Sequence, residues 1–328
     1  MGTEKVLDQN IMEEFFQANI GSIPAAKKFI SLKIFPHDPV FILDKKVNLA
    51  EYKLAYLDSY GEEKSISLRG SADNSNKRLK HYHVLKSLRS NGFDVGQNIV
   101  AEPIGYYKDF GLLLYKNVSG QSLYDKFKWT NKEEWTKKIW EAIDWLVDFH
   151  AKKPFNIPEA KFNWDEERQK FYKLKKGLLI RYPLSKALIE QVTKRMVEDE
   201  NRLLDPKKFH LVHGDYQPHN ILFSDYPPHT IAIDFNDSMF YDELYDISYF
   251  VAQIRIMLKI LHNVDERGLG DKIIEYYLIK RNIKPSTNVS NKISLFRLKT
   301  LMHIKAVTEE KRVRDILPDL EAYAIKAI

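Results

Sequence analysis

The sequence predicts an α+β protein of two lobes: a small antiparallel-sheet lobe followed by a mainly helical one. Short β-prone runs separated by turn residues fill residues 40–118, and helical spacing dominates beyond them. The 328 residues suffice for two compact units, each with its own core. The expected lobes are residues 1–118 and 119–328. The connection near Lys116–Gly120 is only a few residues long, as in hinges, and clefts beside such connections are favoured ligand sites.

Composition narrows the class. An apolar share of 44% and a charged share of 29% are those of a globular chain. With no cysteine, disulfides and thiolate metal sites are excluded. The segment MGTEKVLDQN has no apolar signal core, and Val6 stands where a myristoylation motif needs Ser or Thr. No apolar run reaches bilayer length, so the expectation is a cytoplasmic protein without a membrane partner. The net charge of +6 is dispersed among acids, unlike the basic stripe of a nucleic-acid binder, and nucleic acid is not an expected partner. The densest basic segment, RQKFYKLKKG, reads as the solvated face of a helix.

IMEEFFQANI and PAAKKFISLKIF read as helical or mixed. VFILD, EYKLAYLD and KSISLRG read as strands, with SYGEE as a turn between the last two. KRLKHYHVLKSLRSNGF has helical spacing and ends at a capping Asn91-Gly92. NIVAEPIGYYKD and FGLLLYKNV read as two more strands. Ser122 and Asp125 have the spacing of a capping box, which opens the helical half. KEEWTKKIWEAIDWLVDFH then places Trp135, Ile139, Ile143, Leu146 and Val147 on one helical face. ILFSD and TIAIDF, separated by Tyr226-Pro227-Pro228-His229, form a candidate hairpin, and the chain from YDELYDISYF onward is mostly helical.

The chemistry concentrates in HGDYQPHN, residues 213–220. In the hairpin, Asn220 before the first strand and Asp234 closing the second are candidates to share a cation. One carboxylate and one amide oxygen suit a hard ion such as Mg²⁺. Asp215 lies in the loop feeding the same hairpin. A carboxylate at a metal and another that orients a hydroxyl is the division of labour of phosphoryl transfer. Asp and Asn are also common turn residues, and His210, His213 and His219 raise a zinc site as an alternative.

HGDYQPHN followed by IAIDF resembles the aminoglycoside phosphotransferase and choline kinase-like family, with its H-G-D-x-x-x-x-N and I-D-[FW]. The protein-kinase pattern is parallel, but Gly214, Gln217 and Asn236 stand where protein kinases carry arginine, lysine and the glycine of D-F-G. The resemblance extends from about residue 40 to about 255, through FGLLLYKNVSGQSL, through Leu146, Phe149 and His150, and through Leu244-Tyr245-Asp246-Ile247-Ser248. It implies a protein-kinase-like fold and a small-molecule kinase that uses ATP or GTP, with Mg²⁺. The acceptor is a small hydroxylated compound such as an aminoglycoside, amino alcohol or sugar. It implies Asp215 as catalytic base, Asn220 and Asp234 as Mg²⁺ ligands, and His213 as support of the catalytic loop. Asp246, near a helix start, is expected to satisfy backbone donors.

The resemblance further places Arg69 at the α- and β-phosphates, where an exposed strand residue is the other reading. Asn48 falls within the nucleotide-covering loop, assigned to the glycine-free DKKVNLAEY, and is expected as a second nucleotide-binding residue. His81 falls where kinases carry a helix glutamate. These departures motivate an alternative function, a catalytically weak or inactive pseudokinase acting as a nucleotide-sensing interaction module. The rings of Phe240, Tyr241, Tyr245, Tyr249 and Phe250 suit either core packing or a box for an amine. Asp237, Asp242 and Glu243 suit either helix capping or an aminated acceptor. Acceptor recognition falls to segments 151–209 and 236–328, which specify neither a particular acceptor nor an oligomeric state.

Overall fold

The computed structural model describes residues 3–325 except 38–39, 43–44, 76, 153–156, 265–266 and 308–315. The chain forms two compact units. The first takes residues 1–120, 155–159 and 222–238, and the second takes 121–154, 160–221 and 239–328.

The first unit opens with α1 (Gln9–Ala18), whose first turn is capped by Asp8 accepting from Ile11 N–H. Strands β1 (Ala26–Pro36), β2 (Val40–Ile42), β3 (Lys45–Asp58) and β4 (Glu63–Ala72) follow, then α2 (Lys77–Leu88). A wider helical turn after α2 holds Gly92 at φ 87°, the left-handed geometry that suits the Asn91-Gly92 stop. Strands β5 (Asn98–Val100), β6 (Pro103–Tyr107) and β7 (Leu112–Lys116) complete this stretch. Five strands run antiparallel in the order β1-β3-β4-β7-β6, with β2 against β3. Met12 and Phe16 of α1 close one face over Tyr52, Leu54, Leu68, Leu112 and Leu114, all buried. Each such side chain contributes roughly 1.5–3 kcal/mol by burial.

Three local expectations change here. PAAKKFISLKIF contains a strand, because β1 pairs with β3 from Ala26↔Asp58 to Pro36↔Ala50, a long-range ladder that outweighs local propensity. Lys45–Tyr52 of the expected DKKVNLAEY loop is strand β3, and its Asp44 lies outside the described residues, as does the end of VFILD. NIVAEPIGYYKD is two strands. Pro103 begins the second, β5 pairs parallel with a later strand at Thr230–Ala232, and β6 pairs with β7.

The second unit begins with β8 (Gln121–Ser122) and α3 (Leu123–Trp129), where Ser122 and Asp125 form the capping box in both directions. Helices α4 (Lys132–Ala151), α5 (Trp164–Arg181) and α6 (Lys186–Leu203) follow, then β9 (His210–Val212). Strands β10 (Ile221–Asp225) and β11 (Pro228–Ala232) lie almost wholly in the first unit and extend β5 in the order β5-β11-β10. Gly120 lies against β10 at φ 155°, and a Cβ there would sit 2.7 Å from the Phe223 carbonyl oxygen. The chain then returns to the second unit with β12 (Met239–Tyr241), antiparallel to β9, and α7 (Leu244–His262), α8 (Arg267–Lys280), α9 (Thr287–Val307) and α10 (Leu317–Ile325). Trp145, Tyr216 and Phe250 are among its largest fully buried side chains. Among the described residues no helix is long and apolar enough to cross a membrane.

Candidate active site

The loop at 213–220 leaves β9 and is shaped by its glycine. Gly214 has φ 83°, a conformation that costs L-residues with a Cβ. Tyr216 anchors the far side, buried with its hydroxyl donating to Ala142 O at 2.6 Å and its ring stacked on Trp145. Asp215 is thereby held on the loop's polar side. Gln217 Nε2 lies 2.9 Å from both of its carboxylate oxygens. Asn220 Nδ2 donates to the Asp215 carbonyl oxygen and to Oδ2, each at 2.9 Å. The Tyr249 hydroxyl of α7 donates to the same carboxylate, and burial, with the Asp215 charge second, raises the Tyr249 pKa well above its ordinary value.

Beneath the loop, Asp246 is fully buried on the first turn of α7. Its donors are not those of its own helix. Oδ2 accepts from His213 N–H at 2.7 Å, Oδ1 from Gly214 N–H at 3.0 Å, and His150 Nε2 of α4 lies 3.1 Å from Oδ2. His150 Nδ1 in turn meets the Tyr277 hydroxyl at 2.6 Å. Two backbone donors and an imidazole thus satisfy the oxygens of a carboxylate that has no access to water. His213 is fully buried, and its Nδ1 accepts from Asp215 N–H at 3.3 Å.

In the first unit, Asp234 follows β11 at φ 66°, ψ 61°, a left-handed conformation uncommon outside glycine, though aspartate and asparagine adopt it more readily than other residues. Asn236 donates to its Oδ1. Burial raises the Asp234 pKa above the ordinary carboxylate value, opposed by Arg78 and reinforced by Asp237. Arg78 is itself buried and paired with Asp73 at 3.2 Å. Arg69 on β4 stands opposite Tyr115 of β7 and interacts with its hydroxyl. His81 on α2 lies buried between the rings of Tyr115 and Phe235, with Nε2 3.5 Å from Phe235 N–H. Asn48 is buried in β3, where its amide donates to Thr3 Oγ1 at 3.0 Å.

The structure thus brings Asp215, Asn220, His213 and Asp246 together in the second unit, and Asp234 and Arg69 around Tyr115 in the first. The three histidines scatter to separate tasks. His210 faces Glu243 at 3.9 Å, His213 bonds within the loop, and His219 packs on Tyr124 at 4.0 Å between ring centroids. Among the described residues no group of three or more His, Asp or Glu gathers as a metal cluster. Gln217 and Tyr249 are site residues that the motif spacing left unassigned. For Tyr249 a signal exists, because it lies three residues after Asp246 on α7 and so shares its face.

The sequence model of the phosphotransferase enzyme family matches residues 71–268. Among solved structures, the ADP-bound aminoglycoside phosphotransferase APH(2'')-Ib is similar over 97% of each chain, at 15% identity and a TM-score of 0.52. Amicoumacin kinase hAmiN, in complex with AMP-PNP, Ca²⁺ and Ami, is similar over 97% of this chain and 93% of its own, at 15% identity and 0.55. An ethanolamine kinase from Plasmodium vivax is similar over 90% and 82%, at 12% identity and 0.54. At such identities the likeness is one of fold, and that fold is protein-kinase-like. No curated protein matches the sequence.

Proposed function

The chain belongs to the phosphotransferase enzyme family, and from that membership we propose that it transfers the γ-phosphoryl group of ATP or GTP to a hydroxyl of a small molecule. The observation that carries this reading is the setting of Asp215, a carboxylate aimed by Gln217, Asn220 and Tyr249 on a loop tied to buried Asp246. These donors fix its direction. In the proposed reaction the acceptor hydroxyl donates its hydrogen bond to Asp215. Its oxygen bonds to the γ-phosphorus as the bond to the β–γ bridging oxygen breaks, the nucleoside diphosphate leaves, and the proton passes to Asp215.

The proposed Mg²⁺ ligands are Asn220 and Asp234, whose oxygen donors are of the type that ion takes. Asn220 commits its amide nitrogen to Asp215, which turns the amide oxygen to ligand duty, and Asp234 supplies a carboxylate. When bound, Mg²⁺ supplies charge neutralisation at the phosphates. Arg69 is the proposed phosphate contact, oriented by Tyr115. His213 and Asp246 act in this reading as supports of the catalytic loop. Asn48, buried beside Thr3, belongs to the frame of the sheet.

Asp215→Asn is expected to keep its fold and its Mg²⁺–ATP stabilisation while turnover falls on the order of 10²–10⁴-fold. Unchanged turnover with a verified acceptor would remove Asp215 from the role. A second reading, the nucleotide-sensing module, is favoured by His81, which occupies a kinase glutamate position and faces Phe235 N–H. Thermal shift reports nucleotide binding, which adds about 2.7 kcal/mol of stability at a hundredfold the Kd in either reading, and phosphate transfer is what separates the two. Nucleotide binding without transfer across an acceptor panel would favour the module.

A further inference from the structure

Lys299 of α9 is 5% exposed, and its ammonium sits in a cage. Its Nζ donates to Glu200 Oε1 at 3.0 Å, to Glu167 Oε1, and to the Tyr241 hydroxyl at 3.4 Å. Three rings surround it, with centroids at 4.7 Å (Phe171), 5.2 Å (Tyr241) and 5.7 Å (Tyr245). Two carboxylates and several aromatic faces are what a protein presents to an amine ligand. Here the chain supplies the amine itself.

The cage adjoins the proposed base. Tyr245 and Tyr249 are one turn apart on α7 with centroids at 5.9 Å, and the Tyr249 hydroxyl donates to Asp215. Tyr245, half-buried, is thus shared between the cage and the face that leads to Asp215. The neighbouring acids are matched in the same way. Asp242 pairs with Lys292 at 2.6 Å, and Glu243 with Arg281 at 2.7 Å. The carboxylates that a cationic acceptor would use therefore already face cations of the chain.

We propose that Lys299 determines acceptor specificity by filling a cationic subsite from within, so that the acceptor is a hydroxylated compound carrying no amine or ammonium group. A polycationic acceptor such as an aminoglycoside would have to displace buried internal ion pairs. An uncharged polyol or sugar would not. This rests on the phosphotransfer reading for the word acceptor, while the cage itself does not depend on it.

The test uses the full chain and two matched probes, choline and its uncharged isostere 3,3-dimethylbutanol, titrated by calorimetry into wild type, Lys299→Met and Lys299→Arg. In wild type and Lys299→Arg, choline is expected to bind no better than the isostere. In Lys299→Met the opened cage is expected to prefer choline on the order of tenfold or more. Loss of that preference in Lys299→Arg distinguishes an occupied subsite from a merely structural lysine. Should Lys299→Met fail to fold, wild type alone decides: choline or an aminoglycoside preferred over uncharged counterparts overturns the proposal, and no such preference supports it. A folded Lys299→Met without a choline preference also overturns it. Phosphate transfer from Mg²⁺–ATP across an acceptor panel, measured on the same samples, reports separately on the phosphotransfer reading.

Discussion

The loop around Asp215 and the cage around Lys299 lie in the same unit and are joined through Tyr245 and Tyr249, yet they handle charge in opposite ways. In the loop, Gln217, Asn220 and Tyr249 hold Asp215 with neutral donors, and backbone N–H groups hold Asp246. In the cage, Glu167 and Glu200 face an ammonium. Neutral donors steer a carboxylate without quenching its charge, so it still serves an incoming hydroxyl. An ion pair uses that charge up. The same residue type is reactive in one place and structural in the other because of what faces it.

Breaking the loop's anchor should have the largest effect. Asp246→Ala leaves the N–H groups of His213 and Gly214 without their acceptor in the interior. A loss of roughly 3–5 kcal/mol is expected in urea unfolding. A loss below about 1 kcal/mol would show that the loop holds its shape without this anchor.

Acid should dissolve the cage. Burial alone would raise the Glu167 pKa, but Lys299 and Lys170 outweigh it and hold the group at about 2, against an ordinary 4.5. A carboxylate depressed on folding contributes stability that is complete above its unfolded pKa and is lost as pH falls through the folded one. The gap corresponds to roughly 3 kcal/mol, disappearing between about pH 4.5 and pH 2. Urea midpoints across that window should fall more steeply for wild type than for Glu167→Gln.

Gly214→Ala sharpens the loop side. With φ at 83°, the added Cβ should cost about 1–2 kcal/mol. Turnover should fall by more than the change in folded fraction, because the strain sits beside Asp215. Lys64→Ala provides the baseline. Its pair with Glu62 is largely exposed, and the unfolding midpoint should move by no more than about 0.5 kcal/mol in equivalent stability.

Much of the fold was legible where local signals agree with tertiary need. The helix over 132–150, the capping box at Ser122 and Asp125 and the strands at 64–70 and 221–225 all follow periodicity or punctuation that survives folding. PAAKKFISLKIF was not legible, because only pairing with β3 makes it a strand. The loop 213–220 stood out through residue types at fixed spacing. Its support did not, since His150 lies 96 residues from Asp246 in sequence and meets it only in the fold.

By itself the sequence determined that the chain has a sheet-rich first part, a helical second part and a motif of the phosphotransferase family between residues 213 and 234. Those are local properties, written in spacing and residue type. Only the tertiary structure decided that the acids after Asp234 face lysines and arginines, and that the aromatic residues of α7 surround a lysine of α9. Pairing of charges depends on distances between segments far apart in the chain. Its outcome, an amine subsite already filled, is set by packing.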